Sequence, residues 1–101
     1  MSLVSVTHED DLAIVTIDNP PVSTGNTALR TALFEAFTGL KEEQGISAIV
    51  VLSAQAHFYS GSDIKEFDGP VQHPLLTEVI EVMESLEVPI VAGLNGLTLG
   101  G

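Results

Sequence analysis

The chain has 101 residues, of which 45 % are hydrophobic and 5 % aromatic, so it suits one small domain with an aliphatic core and is not a disordered chain. The formal net charge is −11 and the cations are Arg30, Lys41 and Lys65, which excludes nucleic acid and anionic membranes as expected partners because both need clustered Lys and Arg. There is no cysteine for disulfides or thiolate chemistry, and no signal-peptide or transmembrane pattern, so a cytoplasmic location is expected.

Leu3–Thr7 and Leu12–Asp18 read as two strands, joined through the polar turn His8-Glu9-Asp10-Asp11. Asn19-Pro20-Pro21 ends the second strand, because two prolines cannot continue a ladder. After a loop over Val22–Thr27, a helix is predicted over Ala28–Glu43. Leu29, Leu33, Ala36, Phe37 and Leu40 fall on one of its faces, Asn26 or Thr27 can cap its start, and Gly45 suits the left-handed position past its end. Ala48–Leu52 is wholly apolar, the pattern of a strand buried on both faces.

His57–Gly69 is a loop rich in Gly, Ser and Asp. A second helix is predicted over Pro74–Leu86, with Pro74 near its first position. Leu76, Val79, Ile80 and Met83 form its apolar stripe, and Glu78, Glu81, Glu84 and Glu87 a second face. Val88–Leu94 reads as another strand, followed by an Asn95-Gly96 turn and Leu97-Thr98-Leu99-Gly100-Gly101. The alternation of helices and strands predicts an α/β layered fold with part of its sheet parallel.

Two segments can carry chemistry. His57–Phe67 contains Gly61, and Val88–Gly101 contains Gly96, Gly100 and Gly101. Each places small residues where an apolar strand emerges, and small residues let a ligand approach the backbone and use its N–H groups. Two such groups converging on one oxygen make an oxyanion hole. Weaker candidates are His57 as a general base and Asp63 as a catalytic carboxylate. A loop histidine and a capping carboxylate are the ordinary readings of those two. The glutamate stripe reads as a solvated face, and His8 and His73 have no metal-ligand spacing.

Ser60-Gly61-Ser62-Asp63-Ile64-Lys65-Glu66-Phe67 resembles the Ala-Gly-Ala-Asp-Ile-Lys-Glu-Met/Phe segment of the crotonase (enoyl-CoA hydratase/isomerase) superfamily. Val88-Pro89-Ile90-Val91-Ala92-Gly93-Leu94-Asn95-Gly96 with Leu99-Gly100-Gly101 resembles its Lys-Pro-Val-Ile-Ala-Ala-Val-Asn-Gly-x-x-Leu-Gly-Gly segment, and Asp18-Asn19-Pro20-Pro21-Val22 its first loop. The stretch from Phe67 and the following helix resembles the hydratase module of fused hydratase/3-hydroxyacyl-CoA dehydrogenases. The resemblance implies a crotonase-like layered spiral of ββα units, incomplete here, with residues 1–101 the N-terminal part of an acyl-CoA-binding domain.

It further implies hydration of trans-2-enoyl-CoA. Enoyl-CoA isomerisation or other CoA-thioester chemistry is an alternative, as is a catalytically inactive binding or assembly protein. The catalytic N–H donors would be those of Ser62 and Gly101. Gly61, Ser62, Asp63, Ile64, Lys65, Gly100 and Gly101 would contact substrate, with Lys65 meeting a CoA phosphate. No cofactor or metal is implied beyond the CoA thioester itself. The acid/base glutamates are expected beyond residue 101, so these residues alone should be inactive, and the complete protein is expected to form trimers or hexamers. Ser23-Thr24-Gly25 departs from the Asn-Ala-Leu that commonly follows Pro-Pro-Val in the family, and Ser60 and Ser62 replace alanines.

Overall fold

The structure, a computed structural model, describes residues 2–101. Strands β1 (Val4–Glu9) and β2 (Leu12–Ile17) form an antiparallel hairpin. Glu9 pairs with Leu12, leaving a two-residue turn in which Asp10 takes a left-handed φ of 56°. A short polar side chain tolerates that conformation. Helix α1 (Thr27–Lys41) leads to β3 (Ala48–Ser53), and helix α2 (Leu76–Glu84) leads to β4 (Ile90–Ala92). The sheet order is β1-β2-β3-β4, and β2, β3 and β4 are parallel.

One face of the sheet carries the core. Ala13, Val15 and Ile17 of β2 and Ile49 and Val51 of β3 alternate inward, as a period of two dictates. They pack under Leu29, Leu33, Phe37 and Leu40 of α1 and Val79 of α2. Burying each large apolar side chain contributes about 2 kcal/mol. Asn26 caps α1, its Oδ1 accepting the Leu29 N–H at 2.9 Å. Gly45 takes the expected positive φ, at 90°, four residues past the helix end.

Three expectations need correction. β3 is buried on one face only, since Leu52 is 38 % exposed and Val91 of β4, which pairs with Val50 on the same face, is 58 % exposed. β4 pairs with β3 over three residues, Ile90–Ala92, rather than along Val88–Leu94, and the chain leaves the ladder at Gly93, whose N–H donates to the Val51 carbonyl at 2.9 Å. α2 is shorter than Pro74–Leu86 at both ends. Leu75 is extended (ψ 158°) and gives its N–H to the Glu78 carboxylate at 2.9 Å, so the helix begins after it, and Glu87 lies outside. A 3₁₀ turn over Ile64–Glu66, inside the predicted loop, was not expected.

Candidate functional site

The loops that follow β2, β3 and β4 meet at the carboxyl edge of the parallel strands, where ligands bind in open α/β sheets. The Ala54 N–H donates to the Ile17 carbonyl at 2.8 Å, and the Asn95 amide to the Gln55 carbonyl at 2.8 Å. Beyond the sheet, Phe58–Ser62 runs between two further segments. On one flank Ser60 N–H donates to the Ser23 carbonyl (3.1 Å) and Gly25 N–H to the Gly61 carbonyl (2.8 Å). On the other, Tyr59 N–H donates to the Leu97 carbonyl (3.2 Å) and Leu99 N–H to the Tyr59 carbonyl (2.9 Å).

This small ladder brings the two glycine segments together. A Cβ on Gly100 would lie 3.3 Å from the Gly61 Cα. Both glycines are left-handed, with φ of 99° at Gly61 and 72° at Gly100, a conformation a side chain would strain. Each directly precedes one of the expected donors, Ser62 and Gly101. Among the described residues neither of those N–H groups has a hydrogen-bond acceptor, and both residues are exposed. Gly61, Ser62, Asp63, Ile64 and Lys65 follow on continuously into the 3₁₀ turn, with Ile64 and Lys65 exposed.

Two recesses adjoin the residues that follow these glycines, one at Gly101 and one at Ser62. An apolar cavity of about 300 Å³ is lined by Phe58, Leu76, Val79, Met83, Leu99 and Gly101. A more polar one of about 400 Å³ is lined by Arg30, Ser62, Asp63, Glu66, Phe67 and Leu76. Leu76 borders both, and its Cδ2 lies 1.9 Å from where a Gly101 Cβ would be.

The sequence reading missed a polar cluster behind Ser62. Arg30 is 8 % exposed. Its guanidinium donates to the Gly25 carbonyl (2.8 Å), the Pro74 carbonyl (2.8 Å) and Glu66 Oε1 (3.2 Å). Glu66 Oε2 accepts the N–H (2.8 Å) and the hydroxyl (2.9 Å) of Thr27, the first residue of α1. The Thr27 N–H above all, with its hydroxyl and Arg30, holds the Glu66 carboxyl below its ordinary range against the cost of burial. A signal was available: Arg30 lies three residues before Leu33 and seven before Phe37, on the apolar stripe of α1.

Several candidates take ordinary roles. Asp63 caps the 3₁₀ turn, accepting the Lys65 N–H at 3.0 Å. His57 Nδ1 accepts the Leu97 N–H at 2.9 Å and so steadies the Gly100 loop. His8 pairs with Glu43 at 2.6 Å, and His73 pairs with Glu78. Both helix N-termini are filled by the chain's own carboxylates, Glu66 on α1 and Glu78 on α2. Each helix start therefore already carries a negative charge that opposes an anionic ligand there, and Lys65 is the exposed cation next to Ser62.

The enoyl-CoA hydratase/isomerase family profile matches residues 7–101. The chain belongs to the enoyl-CoA hydratase/isomerase family. It is 33 % identical to the peroxisomal bifunctional enzyme of Danio rerio, over 89 % of this chain and 12 % of that protein. It is 30 % identical to a Bacillus subtilis protein named "Probable enoyl-CoA hydratase", over 100 % of this chain and 42 % of that protein. The crystal structure of an enoyl-CoA hydratase/isomerase from Pseudoalteromonas atlantica T6c matches with a TM-score of 0.79 and 22 % identity, covering 94 % of this chain and 39 % of that one. The crotonase fold is thereby shown, and the chain spans less than half the length of each of these proteins. The zebrafish relative's name gives no support to the cytoplasmic expectation. Among the described residues no helix is long and apolar enough to cross a membrane.

Proposed function

We propose that these residues form the N-terminal part of an acyl-CoA-binding domain whose reaction is the hydration of trans-2-enoyl-CoA. The carrying observation is the close approach of Gly61 and Gly100, each followed by an N–H without a partner among the described residues. The Ser62 and Gly101 N–H groups donate to the thioester oxygen. When water adds at the β-carbon, charge accumulates on that oxygen, and two preorganised donors stabilise it there. The substrate is the CoA thioester, without a separate cofactor, and Lys65 meets a CoA phosphate. Proton transfer is not assigned to His57, Asp63 or Glu78, since each is engaged in its own loop or cap.

The experiment is a pair of substitutions at Gly101 in the full-length protein. Gly101→Ala adds a Cβ against Leu76, whose flexible end can give, and keeps the N–H. Gly101→Pro adds similar bulk and deletes the N–H. Gly101→Pro should lower kcat for enoyl-CoA hydration by about 10²–10³-fold and Gly101→Ala by far less. Wild-type turnover in the proline variant would show the oxyanion assignment to be wrong. Ser62→Ala should be nearly silent, because the donor there is the backbone.

A further inference from the structure

We infer that Arg30, acting through Gly25, is the positioning residue that aims the Ser62 N–H, an inference that rests on the oxyanion role proposed above. The Ser62 N–H and the Gly61 carbonyl belong to one peptide group. That peptide is trans, so the two point in opposite directions. Fixing the carbonyl therefore fixes the donor. The Gly61 carbonyl accepts the Gly25 N–H at 2.8 Å, which turns the Ser62 N–H away from Gly25. Gly25 is itself held on its other side, its carbonyl accepting from Arg30 Nη1 at 2.8 Å.

Gly25 has little freedom to drift. It is buried, and the Tyr59 ring occupies the space beside its Cα, with the hydroxyl 1.8 Å from where a Cβ would sit. Arg30 in turn is fixed by the Glu66 carboxylate and the Pro74 carbonyl. A guanidinium can bind these three acceptors together because it carries several donors in one rigid plane. The first turn of α1 thus sets the direction of a donor more than thirty residues away in sequence. Oxyanion stabilisation depends on donors being aimed before the charge develops, so loosening this link lowers kcat and leaves substrate binding nearly intact.

The test uses the full-length protein with bound trans-2-enoyl-CoA. It reads kcat, KM, the melting curve and the carbonyl stretch of the bound thioester, which hydrogen bonding shifts down. Arg30→Met removes the guanidinium and keeps a long apolar stem. The expected result is a kcat loss of about tenfold, below the ~10²–10³-fold of deleting a donor outright, with KM within about twofold and at least half of the downshift lost. Should Arg30→Met fail to fold, Arg30→Lys keeps the charge for Glu66 but not the three-way bond, and its downshift and kcat should fall between. A folded variant of either kind with the full downshift and wild-type kcat overturns the role of Arg30 and leaves the proposed hole standing. A wild-type complex with no downshift overturns the hole, and this inference with it.

Discussion

Gly25 shows how a departure from a family pattern can be absorbed by one neighbour. The family commonly has leucine in the place of Gly25, and here the Tyr59 ring fills the volume that a side chain would need. A Cβ at Gly25 would lie 1.8 Å from the Tyr59 hydroxyl oxygen and 2.2 Å from Cζ. Gly25→Ala should therefore overpack the site and destabilise by about 1–3 kcal/mol in urea unfolding. In a Tyr59→Leu background the same change should cost well under that, and the coupling between the two sites should exceed about 0.5 kcal/mol. Additive effects would show that the two side chains do not share the space. Burial pushes the Tyr59 hydroxyl up, with Arg30 partly opposing, and its oxygen is buried with no partner among the described residues. None of this was legible in the sequence. A tyrosine in a loop and a glycine thirty-four residues earlier carry no local mark of contact. The glycine clusters were legible, because left-handed backbone has a residue signature.

Among the elements, α1 was legible almost to its ends, because its apolar period and its asparagine cap both act locally. α2 and β4 were overextended for a related reason. Apolar periodicity continues through Pro74–Leu75 and Val88–Leu94, but helix and ladder stop where hydrogen-bond partners do. The carboxylate at the start of α1 comes from Glu66, so no capping pattern near Thr27 could reveal it. Its depressed pKa fixes the sign of a pH effect. The ordinary value is 4.5, and the folded value lies below it. The stabilisation is therefore complete above the ordinary value and is lost as pH falls through the folded one. Glu66→Gln should be less stable than wild type by about 1 kcal/mol at neutral pH, allowing for the partial exposure of the carboxylate. Melting curves taken from pH 7 to pH 3 should show that gap closing on the acid side. A gap that stays constant with pH would mean that the carboxylate charge is irrelevant to the helix start.

Across the whole molecule, charge is distributed unevenly. The net charge is −11, and Arg30 is consumed by Glu66. Lys41 and Lys65 remain against the other acids. Many of those acids gather at the edge opposite the glycine loops. Asp10 and Asp11 form the hairpin turn, and the Ser47 N–H donates to the Asp11 carbonyl at 2.8 Å, which brings the end of the α1–β3 connection beside it. Glu43, which pairs with His8, and Glu87 line one recess there with Lys41 as its one cation among the described residues, and Glu42 caps α1, where the helix dipole already disfavours negative charge. Such a pole repels itself, and the repulsion is screened by salt within a Debye length of about 10 Å at 0.1 M. Raising NaCl from about 10 mM to about 500 mM should therefore raise the melting temperature, by about 5 °C if the relief is near 1 kcal/mol. Chloride is the anion to use, because sulfate would strengthen apolar burial independently of charge. Glu42→Lys should raise the melting temperature at low salt and shrink the salt response, since it removes a negative charge from the pole and places a cation at the helix C-terminus. If both proteins melted at one temperature across the whole salt range, self-repulsion would not be what limits the stability of this fold.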